Sequence, residues 1–143
     1  MLEKPSAGWS MITVENFHFP LSYLTDVPND FLDALIIALK YNVSTFVTVD
    51  GESEGECDIL FNMVDNRVSA IRCVYDYDER VETKFYDTTV LAFAKSFLED
   101  LEKHLDQWQL WLKFEECGDD DYEIPNEKIT ELRNLVNQPK NQQ

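Results

Sequence analysis

The stretch Asp50–Asp58, DGESEGECD, carries an acid at every second position: Asp50, Glu52, Glu54, Glu56 and Asp58. Between them stand only Gly, Ser, Gly and Cys. Carboxylates in such a row could ligate a hard cation, act as an acid–base pair, or present patterned negative charge to a basic partner. Calcium ligation follows D-x-[DN]-x-[DN]-G-x5-E and needs a bidentate Glu at the twelfth position of the loop. Counted from Asp50, that position is Phe61. The second acidic run, EECGDDDYE (Glu115–Glu123), has no loop spacing either. No metal site and no cofactor are expected. A glycosidase-like carboxylate pair could be picked almost anywhere among 28 acids, so no particular pair is informative.

The other reactive side chains form no constellation. His18 lies between Phe17 and Phe19 and reads as a surface or boundary residue, as does His104. Cys57 and Cys73 fall on what reads as the apolar side of their segments, where burial raises a thiol pKa and makes it inert. Cys117 stands among acids, which suppress its thiolate. H-E-x-x-H, G-x-S-x-G and phosphate-loop motifs are all missing from the sequence. The chain therefore reads as a non-enzyme with no catalytic residues.

Acids outnumber Lys and Arg by 28 to 12, a formal charge of −16 over 143 residues. That balance disfavours nucleic acid and anionic membrane as partners and favours a basic protein. Three cysteines, an odd count with no C-x-x-C pair, exclude a complete disulfide framework, and no run approaches a membrane span, so a reduced, cytoplasmic protein is expected.

The charge gathers in three places. Besides Asp50, Glu52, Glu54 and Glu56, there are Asp76, Asp78 and Glu79, and then Asp119, Asp120 and Asp121 with Tyr122. Carboxylates held on a rigid frame can imitate phosphates and dock a basic surface, and neighbouring Tyr75, Tyr77, Tyr86 and Tyr122 could supply the aromatic area that interface hot spots use. The plainer readings are a solvated loop and ordinary tyrosine packing.

These residues need a frame. Residues 1–10 read as a loose arm, and Met11–Phe19 as a first strand ended by Pro20. Phe31, Leu32, Leu35, Ile36 and Leu39 follow helical spacing within Asn29–Tyr41. Val43–Asp50, Cys57–Asp65, Arg67–Tyr77 and Val81–Tyr86 read as an antiparallel meander, with Asp50–Glu56 a hairpin loop and Asp65–Asn66 a tight turn. In the third of these, Ile71, Cys73, Tyr75 and Tyr77 are assigned to one face. Asp87-Thr88-Thr89 caps a long helix whose stripe runs Val90, Ala94, Phe97, Leu101, Leu105, Trp108, with its end placed near Asp106. Residues 108–115 alternate as well, so strand and helix both fit them. A short helix follows through Ile129, Leu132, Leu135 and Val136, then a frayed tail over 137–143. The sum is one α+β domain over 1–143, an antiparallel meander sheet with helices packed on one face.

The segment FHFPLSYL (Phe17–Leu24), followed by a helix and then ILFNMVDNRVSAIRCVYDYDE, resembles one branch of the immunity proteins of bacterial contact-dependent growth inhibition and polymorphic toxin systems. In that branch a segment ending PLSYW precedes a helix and an antiparallel sheet; this chain has Leu24 in place of the Trp. The resemblance implies a non-catalytic inhibitor that binds the toxin domain of a cognate effector, commonly a basic nuclease, and covers its working surface. Contact residues do not carry over, because they differ between cognate pairs. An acidic phosphate-mimicking inhibitor or adaptor unconnected with toxins is the alternative, and a metal-binding regulator a further one.

Overall fold

A computed structural model describes residues 1–74, 80–113 and 121–138. Segment Met11–Phe19 is not one strand. It bends at Glu15 (φ 54°), and two strands result: β1 (Trp9–Val14) and β2 (Phe17–Ser22), antiparallel, with Ile12 opposite Phe19. Pro20 lies inside β2, opposite Met11. A two-stranded sheet has only edge strands, and there a missing N–H can be tolerated. The first residues are likewise no loose arm. Glu3 N donates to Met11 O at 3.0 Å, Thr13 N to Met1 O at 2.7 Å, and Leu2 is buried beside Ile12. Asp100 fastens this end by accepting from Leu2 N at 2.9 Å.

Helix α1 (Val27–Tyr41) begins two residues before its apolar stripe predicts. Asp26 is the N-cap, accepting from Asn29 N at 3.4 Å, and Pro28 occupies the first turn, where no N–H is needed. Asn42, at φ 53°, ends the helix in the left-handed region.

The meander is β3 (Thr45–Asp50), β4 (Glu56–Asn62), β5 (Arg67–Val74) and β6 (Arg80–Phe85), paired antiparallel in that order. Alternation decides its faces. Val47, Val49, Cys57, Ile59, Phe61, Val68 and Ala70 are buried on the inner side. The assigned face of β5 is one residue out of phase: Ala70 stands opposite Ile59, and Ile71 opposite Asp58. Ile71 thus occupies an outward register position. Small Ala70 under Ile59 satisfies the core, while bulkier Ile71 drew the assignment to the wrong side.

Helix α2 (Val90–Lys103) is capped by Thr89, which accepts from Ala92 N at 3.1 Å. It stops at His104 (φ −127°, ψ 37°), and a one-turn helix α3 (Leu105–Trp108) follows. Turns continue to residue 113, with Trp108 and Trp111 both buried and Leu110 exposed. Burial at i and i+3 marks this stretch as helical in character. Helix α4 (Asn126–Val136) buries Ile129, Leu132, Leu135 and Val136 as its pattern predicts.

The helices cover the inner face of the meander, giving the α+β architecture. Phe31 of α1 is the junction: its ring lies 6.1 Å from Phe61 of β4 and 5.8 and 5.3 Å from Phe93 and Phe97 of α2. On the outer face, Phe46 and Phe85 are exposed.

Candidate protein-binding surface

The acidic hairpin is built by backbone geometry. Gly51 N donates to Gly55 O at 2.8 Å, closing the turn, and Glu52–Glu54 form one 3-10 turn inside it. Gly51 has a packing reason to be glycine: a Cβ there would lie 2.9 Å from Phe19 Cζ. Gly55 sits at φ 87°, where a side chain is strained. Glu52, at φ 57°, is steadied by Asp50 Oδ1, which accepts from its N–H at 2.6 Å. Glu52 and Glu54 are thrown outward, while Asp50 and Glu56 stand opposite each other at the strand ends. The loop reading of this stretch holds, with strand β4 taking over at Glu56.

Period-two alternation puts Phe46, Thr48 and Asp50 on the outer face of β3, and Glu56, Asp58 and Leu60 on that of β4. The registers then define rows across the outer face. One row is Phe46, Leu60, Ser69, Phe85; the next is Thr48, Asp58, Ile71, Thr83. Phe46 is 62% exposed and Phe85 82%. Thr48 Oγ1 donates to Asp58 Oδ1 at 2.5 Å, holding that carboxylate in place. An apolar row therefore grades, within two rungs, into the paired acids of the hairpin. Large rings exposed on a sheet face are the arrangement expected of a contact surface.

The electrostatics are one-sided. Residues 41–66 contain six acids and no Lys, Arg or His. The ion pairs Lys40–Glu131 (3.1 Å), Lys128–Asp33 (2.9 Å) and Arg133–Glu102 (2.7 Å) all join helices to one another, away from the hairpin.

Asp76, Asp78 and Glu79 lie outside the described residues, as do Tyr75, Tyr77, Asp119, Asp120 and Cys117. The strand ends that flank 75–79, Val74 and Arg80, are at the same end of the sheet as Glu56, whose partner is Cys73. Asp121 is exposed and belongs to a different place. Its neighbour Tyr122 is buried, and its hydroxyl donates to Asp26 Oδ1 at 2.8 Å, tying this segment to the start of α1. Burial, then the Asp26 carboxylate, pushes the Tyr122 phenol far above its ordinary range. Tyr122 is thus a structural residue and not a surface anchor. Tyr86 is corrected in the same way: it is buried, with its ring 6.0 Å from that of Phe17.

The residues missed from sequence are Phe46, Leu60 and Phe85. The signal was available: Thr45, Val47 and Val49 claim the inner face of β3, which leaves Phe46 outside. Of the other reactive groups, His18 is exposed, with Nδ1 3.0 Å from Thr13 Oγ1, and Cys57 is fully buried. Among the described residues, no group of three or more His, Cys, Asp or Glu is placed to hold a metal ion. No helix among them is long and apolar enough to cross a membrane. Comparison with protein-family models, with curated proteins and with solved structures gave no match.

Proposed function

We propose that this chain is a non-catalytic immunity protein that binds and neutralises a basic toxin domain, of the nuclease kind, in the cytoplasm. One observation carries the reading: exposed Phe46 and Phe85 share an outer-face row with half-buried Leu60 and buried Ser69, and the Phe46–Leu60 end of that row stands two rungs from the paired acids of the Asp50–Glu56 hairpin. The rings supply desolvated contact area and the acids supply steering and register. A nuclease presents cations to hold phosphates, and a rigid set of carboxylates can occupy the same cations. The test is to look beside its gene for a secreted effector and, with that effector's C-terminal domain in hand, to titrate the purified protein with it. Tight binding that weakens steeply with salt, together with loss of the domain's activity, supports the reading; no affinity at low salt sinks it.

A further inference from the structure

A second feature concerns the edge of the meander and not its face. Two bonds fix the phase of the ladders: Gly51 N to Gly55 O at 2.8 Å, and Tyr86 N to Val68 O at 3.1 Å. In an antiparallel pair the bonded positions alternate. Thr45, Val47 and Val49 therefore turn their backbone groups inward to β4, and Phe46 and Thr48 turn theirs to the open side. No hydrogen bond to another described backbone group satisfies the outward N–H and C=O of Phe46 or Thr48. β2 lies against part of this edge, meeting β3 as well as Gly51, and the groove described next runs along the stretch Ser44–Thr48.

Natural edge strands are usually blunted with Lys, Pro or a bulge. The sequence of β3, TFVTVD, has neither Lys nor Pro. Beside it runs a groove of about 660 Å³, walled on one side by Ser44–Thr48 and on the other by Asp30, Asp33, Ala34 and Ile37 of α1. Five consecutive strand residues span roughly 16 Å, room for a short extended segment. A groove between an edge strand and a helix is a geometry in which peptides dock by strand addition.

The charge says what kind of segment fits. Among the described residues the Asp30 side chain has no hydrogen bond or ion pair; burial, then Asp26 and Asp33, pushes its carboxyl up to about 6 against the weaker opposing pull of Lys128. Asp33 is paired with Lys128 at 2.9 Å. A cation brought in beside Asp30 would relieve that crowding. A second copy of this acidic chain would aggravate it. The opposite edge, β6, carries Arg80 and Lys84 in its sequence and is the poorer match.

We infer that the β3 edge and the α1 groove form a strand-addition site for an extended, basic segment of a partner protein. The inference rests on the reading of this chain as a binder of basic proteins, but it assigns a different contact from the acidic hairpin.

The test uses the whole protein and a synthetic probe, the end-capped hexapeptide Arg-Val-Arg-Val-Arg-Val. Two analogues are N-methylated at alternate residues, one in each phase, so that charge and side chains are unchanged. Binding is read by fluorescence polarisation, and the exchange rates of the Phe46 and Thr48 amides by NMR. Strand addition predicts that one analogue binds like the parent, the other loses about tenfold or more, and both amides slow on binding. Equal binding by all three peptides, unchanged exchange at Phe46 and Thr48, or no parent binding at about 1 mM peptide overturns it. Because the toxin domain is not used, failure here leaves the hairpin reading standing, and failure of toxin binding leaves this measurement intact.

Discussion

Asp50 and Glu56 face each other across the last rung of the β3–β4 ladder, two carboxylates in register with no basic residue between positions 40 and 67 of the chain. Like charges directly opposite one another on a sheet are destabilising by a few tenths of a kcal/mol or more. A fold under selection for stability alone would place a cation at one of the two. Keeping both acids there, beside exposed rings on the same sheet face, is what makes this end of the sheet the candidate contact.

The rings themselves can be tested apart from the charge. Phe46 and Phe85 are largely exposed, so Phe46→Ala and Phe85→Ala should leave stability within about 0.5 kcal/mol of the parent. If the outer face is the contact, each should weaken toxin binding by about 1–2 kcal/mol, measured by calorimetry with a parallel melting curve. Unchanged affinity in both variants would remove the apolar row from the interface.

Phe31 gives the opposite pattern. It is fully buried and its ring meets Phe61, Phe93 and Phe97. Phe31→Ala should cost about 3–5 kcal/mol in urea unfolding, since the cavity opens between sheet and both helices. A loss below about 1 kcal/mol would contradict the packing described.

Tyr86 combines a buried ring with a hydroxyl that has no hydrogen-bond partner among the described residues. Burial, then the nearness of Cys57 and Glu15, pushes its phenol up to about 12. A raised folded-state pKa means that the unfolded chain loses the proton first. Stability is therefore intact below about pH 10 and is lost as pH rises from there toward 12. Tyr86→Phe should be neutral or stabilising by up to about 1 kcal/mol at pH 7 and should lessen the alkaline loss. Marked destabilisation at pH 7 would show that the hydroxyl has a partner after all.

Asp30 titrates nearer neutrality. Its folded pKa of about 6 lies above the ordinary 3.8, so its carboxylate opposes folding once ionised. The contribution is fully favourable below about pH 4 and is lost as pH rises through 6. Asp30→Asn should match the parent near pH 4 and exceed it at pH 7 by no more than about 1 kcal/mol, because the residue as a whole is exposed and water screens a carboxyl that its neighbours only partly desolvate. Melting curves at the two pH values decide it; equal curves at both would mean that Asp30 is neither desolvated nor crowded by Asp26 and Asp33 as described.

Most of the frame was legible because it rests on long, periodic patterns. The stripe through Val90, Phe97 and Leu101 and the alternation of Cys57, Ile59 and Phe61 each report burial directly. What escaped depended on partners distant in sequence. Leu2 is held by Ile12 and Asp100, so residues 1–10 read as an arm until those contacts are known. The bend at Glu15 carries no Gly or Pro to announce it. Ile71 and Ala70 compete for the same face, and only the registry with Ile59 settles which turns inward. For the candidate surface, the acids of the hairpin were visible as a charge pattern, whereas Phe46 and Phe85, on opposite edge strands, are brought into one row only through three ladders. Tyr122 looked like a surface aromatic among acids, but its partner Asp26 lies 96 residues away.

The most direct test of the account is the association rate of the toxin domain with the variant carrying Asp50→Lys, Glu52→Lys, Glu54→Lys and Glu56→Lys, followed by stopped flow across a salt series. Circular dichroism establishes that the variant is folded. The account predicts an association rate lower by about tenfold or more at low salt, with a flattened or reversed salt dependence. An unchanged rate and an unchanged salt slope in a folded variant would contradict it, and the hairpin would then be a solvated loop.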